Sequence, residues 1–171
     1  TKKISILNKR EIYLPQGKVL GGSSTVNGLV FTRGVSEKFN EMSKMGCDGW
    51  SYDEVIPYFK KLENYSKGNP LYRGKGGPIN ISDVSPKDQL SEAFKLSCIE
   101  SGYKENKDYN SFDSEGISYL QLNTKKGRRV NVFNSYMNLL PKKNNLHIQT
   151  NSIVKKILFE GKKAVGVEFI H

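Results

Sequence analysis

Gly17-Lys18-Val19-Leu20-Gly21-Gly22-Ser23-Ser24-Thr25-Val26-Asn27-Gly28-Leu29-Val30-Phe31-Thr32-Arg33-Gly34 is the most informative stretch of the chain. Two adjacent glycines, Gly21 and Gly22, let backbone N–H groups approach a bulky ligand, and the small hydroxyl residues after them add donors without filling the space. Such a surface suits a phosphate or a flat polar ring. Taken alone, Gly-Gly-Ser-Ser is a turn that feeds a short helix.

Outward from this stretch, Ile12 to Leu20 reads as a short extended segment broken by Pro15 and Gly17. Downstream, Ser36 can cap a helix reaching about Met45. Ser51 and Glu54 stand in the capping-box relation, which predicts a helix from Tyr52 to Glu63 complicated by Pro57. Tyr65 to Gly77 reads as loop, and its Gly74-x-Gly76-Gly77 as a turn, since no strand-to-helix context or Lys-Ser/Thr follows. Pro78 to Ser82 alternates like a strand, with Ile79 and Ile81 on one face.

Ser85-Pro86 suits a helix start, Asp88 favours the positive helix end and Gly102 a stop, so a helix is expected over about Lys87 to Ser101. Ile117 to Asn123 reads as a strand, and Asn131 can cap a helix that Pro141 ends after Leu140. His147 to Thr150, Ile153 to Glu160 and Ala164 to Ile170 read as strands, the last two joined in a hairpin around Gly161-Lys162-Lys163. Helices mixed with strands predict an α/β or α+β class. Trp50, Tyr52, Tyr58 and Phe59 read as helix-packing core, and Asp48, Asp53 and Glu54 as capping and surface acids rather than a metal site.

The chain has 171 residues, enough for one domain or parts of two, and 27 Lys and Arg against 17 Asp and Glu leave a net charge of +10. Charges interrupt every apolar run well short of the ~18 residues of a membrane span. The basic residues come as scattered small groups (Lys2-Lys3, Lys60-Lys61, Lys125-Lys126 with Arg128-Arg129, Lys142-Lys143, Lys155-Lys156, Lys162-Lys163), which describes a solvated face better than a nucleic-acid footprint. Two cysteines, Cys47 and Cys98, exclude a disulfide framework and a cysteine-rich zinc module, and leave the redox compartment open. Asn64-Tyr65-Ser66 and Asn80-Ile81-Ser82 match the glycosylation pattern and are compatible with secretion. A start at Thr1 and an end at Ile170-His171, directly after an apolar run, lead us to expect an excerpt of a longer protein.

The whole string from Gly17 to Gly34 resembles the signature of the glucose-methanol-choline (GMC) family of flavin-dependent oxidoreductases. The resemblance continues through Gly49-Trp50-Ser51-Tyr52 to Glu63, Gly76-Gly77-Pro78-Ile79-Asn80-Ile81, Gly102-Tyr103, Asp108-Tyr109-Asn110, Glu115-Gly116, Gln121, Gly127-Arg128-Arg129, Asn145-Leu146-His147-Ile148 and Ala164-Val165-Gly166-Val167-Glu168-Phe169. It covers the chain from about Tyr13 to the end and is most like the insect glucose-dehydrogenase-like members, which would make an extracellular location natural.

The resemblance implies part of an FAD-binding Rossmann-like domain over residues 1–82 and again over 145–171, with part of a substrate or cap region over 83–144, all within a larger two-domain enzyme. It puts Ser23, Asn27, Gly28 and Val30 beside FAD, with Gly21 and Gly22 shaping the approach and Val154 near the adenine-ribose end. Val26 stands where some members carry a histidine that links FAD covalently, so non-covalent FAD is expected. The family's catalytic histidine belongs to a C-terminal segment; His147 reads instead as a strand residue and His171 as a fragment end. The glycine fingerprint G-x-G-x-x-G for the diphosphate is not in this sequence and is expected upstream. The implied function is oxidation of an alcohol or sugar CH–OH group by hydride transfer to flavin N5, with oxygen or a quinone as electron acceptor; the isolated piece is expected to be inactive. The rivals are a non-catalytic relative that binds through its basic face and a flavin-dependent lyase of the same family.

Overall fold

The computed structural model describes Asn8, residues 10–140 and residues 145–171. The described residues fall into two compact units, one closing at Leu139 and the other opening at Leu140. The basic pairs Lys2-Lys3 and Lys142-Lys143 and the helix stop at Pro141 lie outside the described residues.

In the first unit a 3-10 turn over Gly22–Thr25 is followed by α1 (Ser36–Lys44), α2 (Tyr52–Leu62), β1 (Glu63–Asn64), β2 (Ile79–Asn80), β3 (Ser82–Asp83), α3 (Gln89–Glu100), β4 (Gln121–Leu122), β5 (Thr124–Lys125), β6 (Arg128–Arg129) and α4 (Val132–Met137). The strands pair as β1–β2 in parallel and as β3–β4 and β5–β6 in antiparallel. This is the mixed α/β class the sequence predicts.

Local chemistry accounts for the helix boundaries. Ser51 and Glu54 form the expected capping box, with the Ser51 N–H donating to Glu54 Oε2 at 3.0 Å, and the helix that starts there tolerates Pro57 inside it. Asp88 caps α3 by accepting from the Ser91 N–H at 2.9 Å, so that helix begins two residues later than the expected Lys87. Asn131 caps α4 by accepting from the Asn134 N–H at 2.8 Å. Ser36 is the first helical residue of α1 rather than its cap, because the extended residue before it is Val35.

Several expected strands are shorter or absent. Ile12 to Leu20 is irregular, and Ile117 to Asn123 contributes only β4, with Ile117 in an isolated bridge to Glu105. An apolar run becomes a strand only where a partner takes its hydrogen bonds. His147 to Thr150 has none among the described residues, and His147 is exposed outside any strand. Trp50 and Tyr58 are 52% and 72% exposed and line an open apolar groove of about 850 Å³, whereas Tyr52 is buried and Phe59, at the groove's edge, packs edge-on against Phe39 of α1 as helix-packing residues should.

The apolar core is small: Phe31, Tyr65, Ile79 and Ile81, with Leu62 against them. Five polar residues are buried beside it, Arg33, Glu63, Arg73, Asn110 and Gln121. The β1–β2 pair also joins both glycosylation sequons, for Asn64 Nδ2 donates to Asn80 Oδ1 at 3.1 Å and Asn64 Oδ1 accepts from the Gly76 N–H at 2.9 Å.

The second unit is the expected hairpin, β7 (Ile153–Glu160) and β8 (Lys163–Ile170), closed by a two-residue loop at Gly161-Lys162. Its register shifts between Val154 and Lys156 and between Leu158 and Phe159. Val154 pairs with Phe169 and is 57% exposed within this unit.

Candidate functional site

The glycine stretch folds as a tight turn whose two ends touch. A Cβ on Gly17 would lie 2.2 Å from the Gly22 carbonyl oxygen, so only glycine permits the closure. The Gly17 N–H donates to Ser23 Oγ at 3.2 Å, and the Ser23 carbonyl accepts from the N–H groups of Val26 and Asn27 at 3.2 and 2.9 Å. Gly21 lies in the left-handed region at φ 90° and supports the sharp entry into the 3-10 turn.

Segments roughly a hundred residues downstream hold this turn in place. Ser24 Oγ accepts from the Val132 N–H at the start of α4, 3.0 Å away. Arg129 Nη1 donates to Asn27 Oδ1 at 2.7 Å. Past the turn, the Asn123 N–H donates to the Leu29 carbonyl and the Phe31 N–H to the Gln121 carbonyl, each at 2.8 Å.

These last two bonds bracket the bridge between Val30 and Leu122 as a non-hydrogen-bonded antiparallel pair. In such a pair the residue's own N–H and C=O point away from the partner strand. The Val30 N–H therefore faces outward, and among the described residues neither it nor the Gly28 N–H has an acceptor. Gly28 has open space where a Cβ would stand. Asn27 Oδ1 is taken by Arg129 and by the Leu29 N–H at 3.2 Å, which leaves Nδ2 as the outward donor of that amide. The result is an exposed edge carrying Ser23, Asn27, Gly28 and Val30, with three N–H donors that have no acceptor among the described residues and no bulky side chain at Gly28. This donor set fits a flat, acceptor-rich ring.

The structure thus brings Ser23, Asn27, Gly28 and Val30 together with Gly21 and Gly22. Val154 belongs to the second unit. Gly22, at φ 55°, has no atom within 4 Å of a built Cβ, so its importance lies in backbone conformation and the steric burden falls on Gly17. The sequence alone assigns no role to Arg129, Val132 or Ser24 in holding the turn. The nearest available signal is Lys126-Gly127, whose two positive φ angles, 50° and 73°, close the β5–β6 hairpin that carries Arg129.

Just behind the edge lies a buried charge cluster. Glu63 is fully buried and receives Arg33 Nη2, Arg73 Nε at 2.9 Å, Arg73 Nη2 at 3.1 Å and the Gly74 N–H at 2.6 Å. Arg73 Nη1 reaches Asp108 and Gln121, and the guanidinium stacks on Tyr65, 4.1 Å from the ring centre. Asn110 ties the cluster to the edge strand, accepting from the Arg33 N–H at 2.9 Å and donating to the Phe31 carbonyl at 3.0 Å. Burial pulls the Arg33 guanidinium below its ordinary value, opposed by the adjacent Glu63. Burial raises the Tyr109 phenol, whose OH donates to the Phe31 carbonyl at 2.8 Å. Gly74 is part of this cluster and no phosphate loop: a Cβ there would lie 1.9 Å from the Lys60 carbonyl oxygen.

Among the described residues no helix is long and apolar enough to cross a membrane. Comparison with known proteins adds the family. The chain is 38% identical over 165 residues to the oxygen-dependent choline dehydrogenase of Vibrio vulnificus (strain YJ016), covering 95% of this chain and 30% of that protein. It is 34% identical over 164 residues to the mitochondrial choline dehydrogenase of Mus musculus, covering 96% and 28%. Among solved structures, pyridoxine 4-oxidase from Mesorbium loti superposes with a TM-score of 0.89 at 26% identity, covering 99% of this chain and 34% of that one. An FAD-dependent oxidoreductase from Chaetomium thermophilum gives 0.89 at 27% identity, covering 99% and 32%. The chain therefore spans about 30% of the length of the curated relatives it matches. The GMC oxidoreductase family model matches residues 2–171, and the chain belongs to that family.

Proposed function

We propose that the protein carrying this chain is an FAD-dependent oxidoreductase acting on CH–OH groups, and that this chain supplies part of the flavin seat. The observation that carries the reading is the exposed edge where, among the described residues, the Gly28 and Val30 N–H groups and Asn27 Nδ2 all lack acceptors while Gly28 leaves room for close approach. When bound, the flavin supplies hydride acceptance from the alcohol carbon. The chain's own part is to orient the ring through Ser23, Asn27, Gly28 and Val30, with Gly17, Gly21 and Gly22 shaping the turn. Val154 contributes a backbone contact toward the adenine-ribose end. Residues 1–82 and 145–171 belong to the flavin-binding region and 83–144 to the substrate or cap region. None of these residues is proposed as the base that takes the hydroxyl proton.

The cofactor is held without a covalent bond through this turn, because Val26, half exposed beside Asn27, offers no linking atom. The relatives are choline dehydrogenases by name, whereas the sequence signature is most like glucose-dehydrogenase-like members of insects. Both point to a small alcohol or sugar donor, with oxygen or a quinone as acceptor.

The test is to purify the full-length protein and titrate its flavin anaerobically with choline, glucose and a series of primary alcohols. Bleaching of the visible band by one donor class is expected, and release of intact FAD on denaturation supports the non-covalent mode. Bound flavin that no donor reduces favours the lyase, and a colourless protein that cannot be reconstituted favours the non-catalytic relative; either overturns the proposal.

A further inference from the structure

The bond from Arg129 Nη1 to Asn27 Oδ1, 2.7 Å long, joins positions 102 residues apart. We infer that Arg129 is a positioning residue that fixes the Asn27 amide with its NH2 group outward, so that Asn27 can only donate to the bound flavin. The inference rests on the reading of Asn27 as a flavin-side residue.

An asparagine amide offers an acceptor at one end and donors at the other, and its surroundings decide which end faces out. Here two N–H donors, from the Arg129 guanidinium and the Leu29 backbone at 3.2 Å, converge on Oδ1. Turning the amide over would set its NH2 against both donors. Leu29, whose N–H supplies one of these donors, adopts φ 67°, a left-handed conformation uncommon for a leucine. Arg129 is equally constrained: it sits in β6, paired with Thr124, and Nη1 also lies 3.4 Å from the Ser24 carbonyl. The next two residues are anchored too, since the Val130 N–H donates to the Asn123 carbonyl at 2.9 Å and Asn131 caps α4.

A donor-only Asn27 matches carbonyl oxygens and unprotonated ring nitrogens of a flavin and rejects its N3–H. The guanidinium behind the amide also polarises it, which favours the more electron-rich, reduced ring. Lysine would keep the charge and one donor but lose the planar fork.

The experiment uses the full-length holoprotein in a double-mutant cycle of Arg129→Met and Asn27→Ala, with Arg129→Lys as the conservative variant. Three quantities are read: the FAD dissociation constant, the visible flavin absorbance and the two-electron reduction potential. Arg129→Met is expected to weaken FAD binding about tenfold and to shift the reduction equilibrium about tenfold toward oxidised flavin, ~30 mV. Arg129→Lys should recover part of both. The double variant should be no worse than Asn27→Ala, since Arg129 acts through that amide. If Asn27→Ala alters the flavin and Arg129→Met does not, or if the two effects add, the positioning role is overturned. If Asn27→Ala alters nothing, the flavin-seat reading itself fails and the positioning role with it. Should the Met variant not fold, Arg129→Gln, too short to keep the bond, enters the same cycle with the same outcomes.

Discussion

The glycine turn and the charge cluster around Glu63, joined through Phe31 and Arg33, dispose of their polar groups in opposite ways. The cluster turns its charges inward: Glu63 is buried and meets two guanidiniums and a backbone N–H. The turn ties its carbonyls and hydroxyls back to the chain but leaves the N–H groups of Gly28 and Val30 and the Asn27 NH2 facing outward. Asn110 and Gln121 connect the two, holding Phe31 from the cluster side. An interior whose charges are paired with one another can keep an edge of free donors in fixed geometry, and that division is what a preformed ligand seat needs. It also makes the two regions separable by experiment: damage to the interior should appear as lost stability, damage to the edge as lost ligand.

The largest effect is expected from Glu63→Gln. Removing the carboxylate leaves the Arg33 and Arg73 charges buried beside a neutral amide, which costs about 3–5 kcal/mol. Denaturant unfolding of the full-length protein measures it, and a loss under about 1 kcal/mol would mean that the cluster is not what fixes the interior.

Next comes Gly17→Ala. Its Cβ, 2.2 Å from the Gly22 carbonyl oxygen, forces the turn open. Flavin content should fall severalfold while Gly22→Ala, facing open space, loses only the ~1–2 kcal/mol of a left-handed residue. Equal flavin loss in the two variants would contradict the steric assignment.

Asn27→Leu gives up only the exposed bonds from Arg129 and the Leu29 N–H, so it should cost about 1 kcal/mol of stability or less, yet weaken flavin binding or slow flavin reduction. Calorimetry alongside flavin titration separates the two readouts. A stability loss without a flavin effect would move Asn27 from the edge into the scaffold.

The smallest effect concerns pH. Burial pushes the Asp83 carboxyl up, but hydrogen bonds from Lys67 and Tyr65 more than reverse this, so it titrates below its ordinary value. A depressed folded value means that the stabilisation is complete above the unfolded value near 3.9 and is lost as pH falls through the folded one. Asp83→Asn should therefore lower stability at pH 6 and converge with the wild type in strong acid. Parallel curves across pH 2–6 would show that the carboxylate bonds contribute nothing.

The sequence made the edge legible and the cluster almost invisible, for a physical reason. Glycines with φ near 90° and small hydroxyl residues occur where backbone must bend sharply, so Gly21 to Ser24 announces its geometry locally, as do Ser51 with Glu54 and the cap at Asn131. Arg33, Glu63, Arg73 and Asp108 are residue types found at surfaces, and nothing local says that four separated charges meet in the interior. Trp50 and Tyr58 failed in the other direction. Apolar periodicity shows that one face of α2 is greasy, but not whether a neighbour covers it, and here that face borders an open groove. The site residues came from the signature string, whereas Arg129 needed coordinates, because its bond spans most of the chain.

That span sets an order of assembly. The turn's own closure, Gly17 to Ser23, is complete within seven residues, but its clamps from Arg129 and Val132 are 102 and 108 residues away. During synthesis at roughly 5–20 residues per second, Asn27 leaves the ribosome about 5–20 s before the arginine that orients it. Bringing such distant partners together also carries a loop-closure entropy that the intervening helices must first reduce by folding. The glycine turn is thus an early local event and the oriented amide a late one, so on the proposed flavin seat cofactor capture would follow the folding of the segment between.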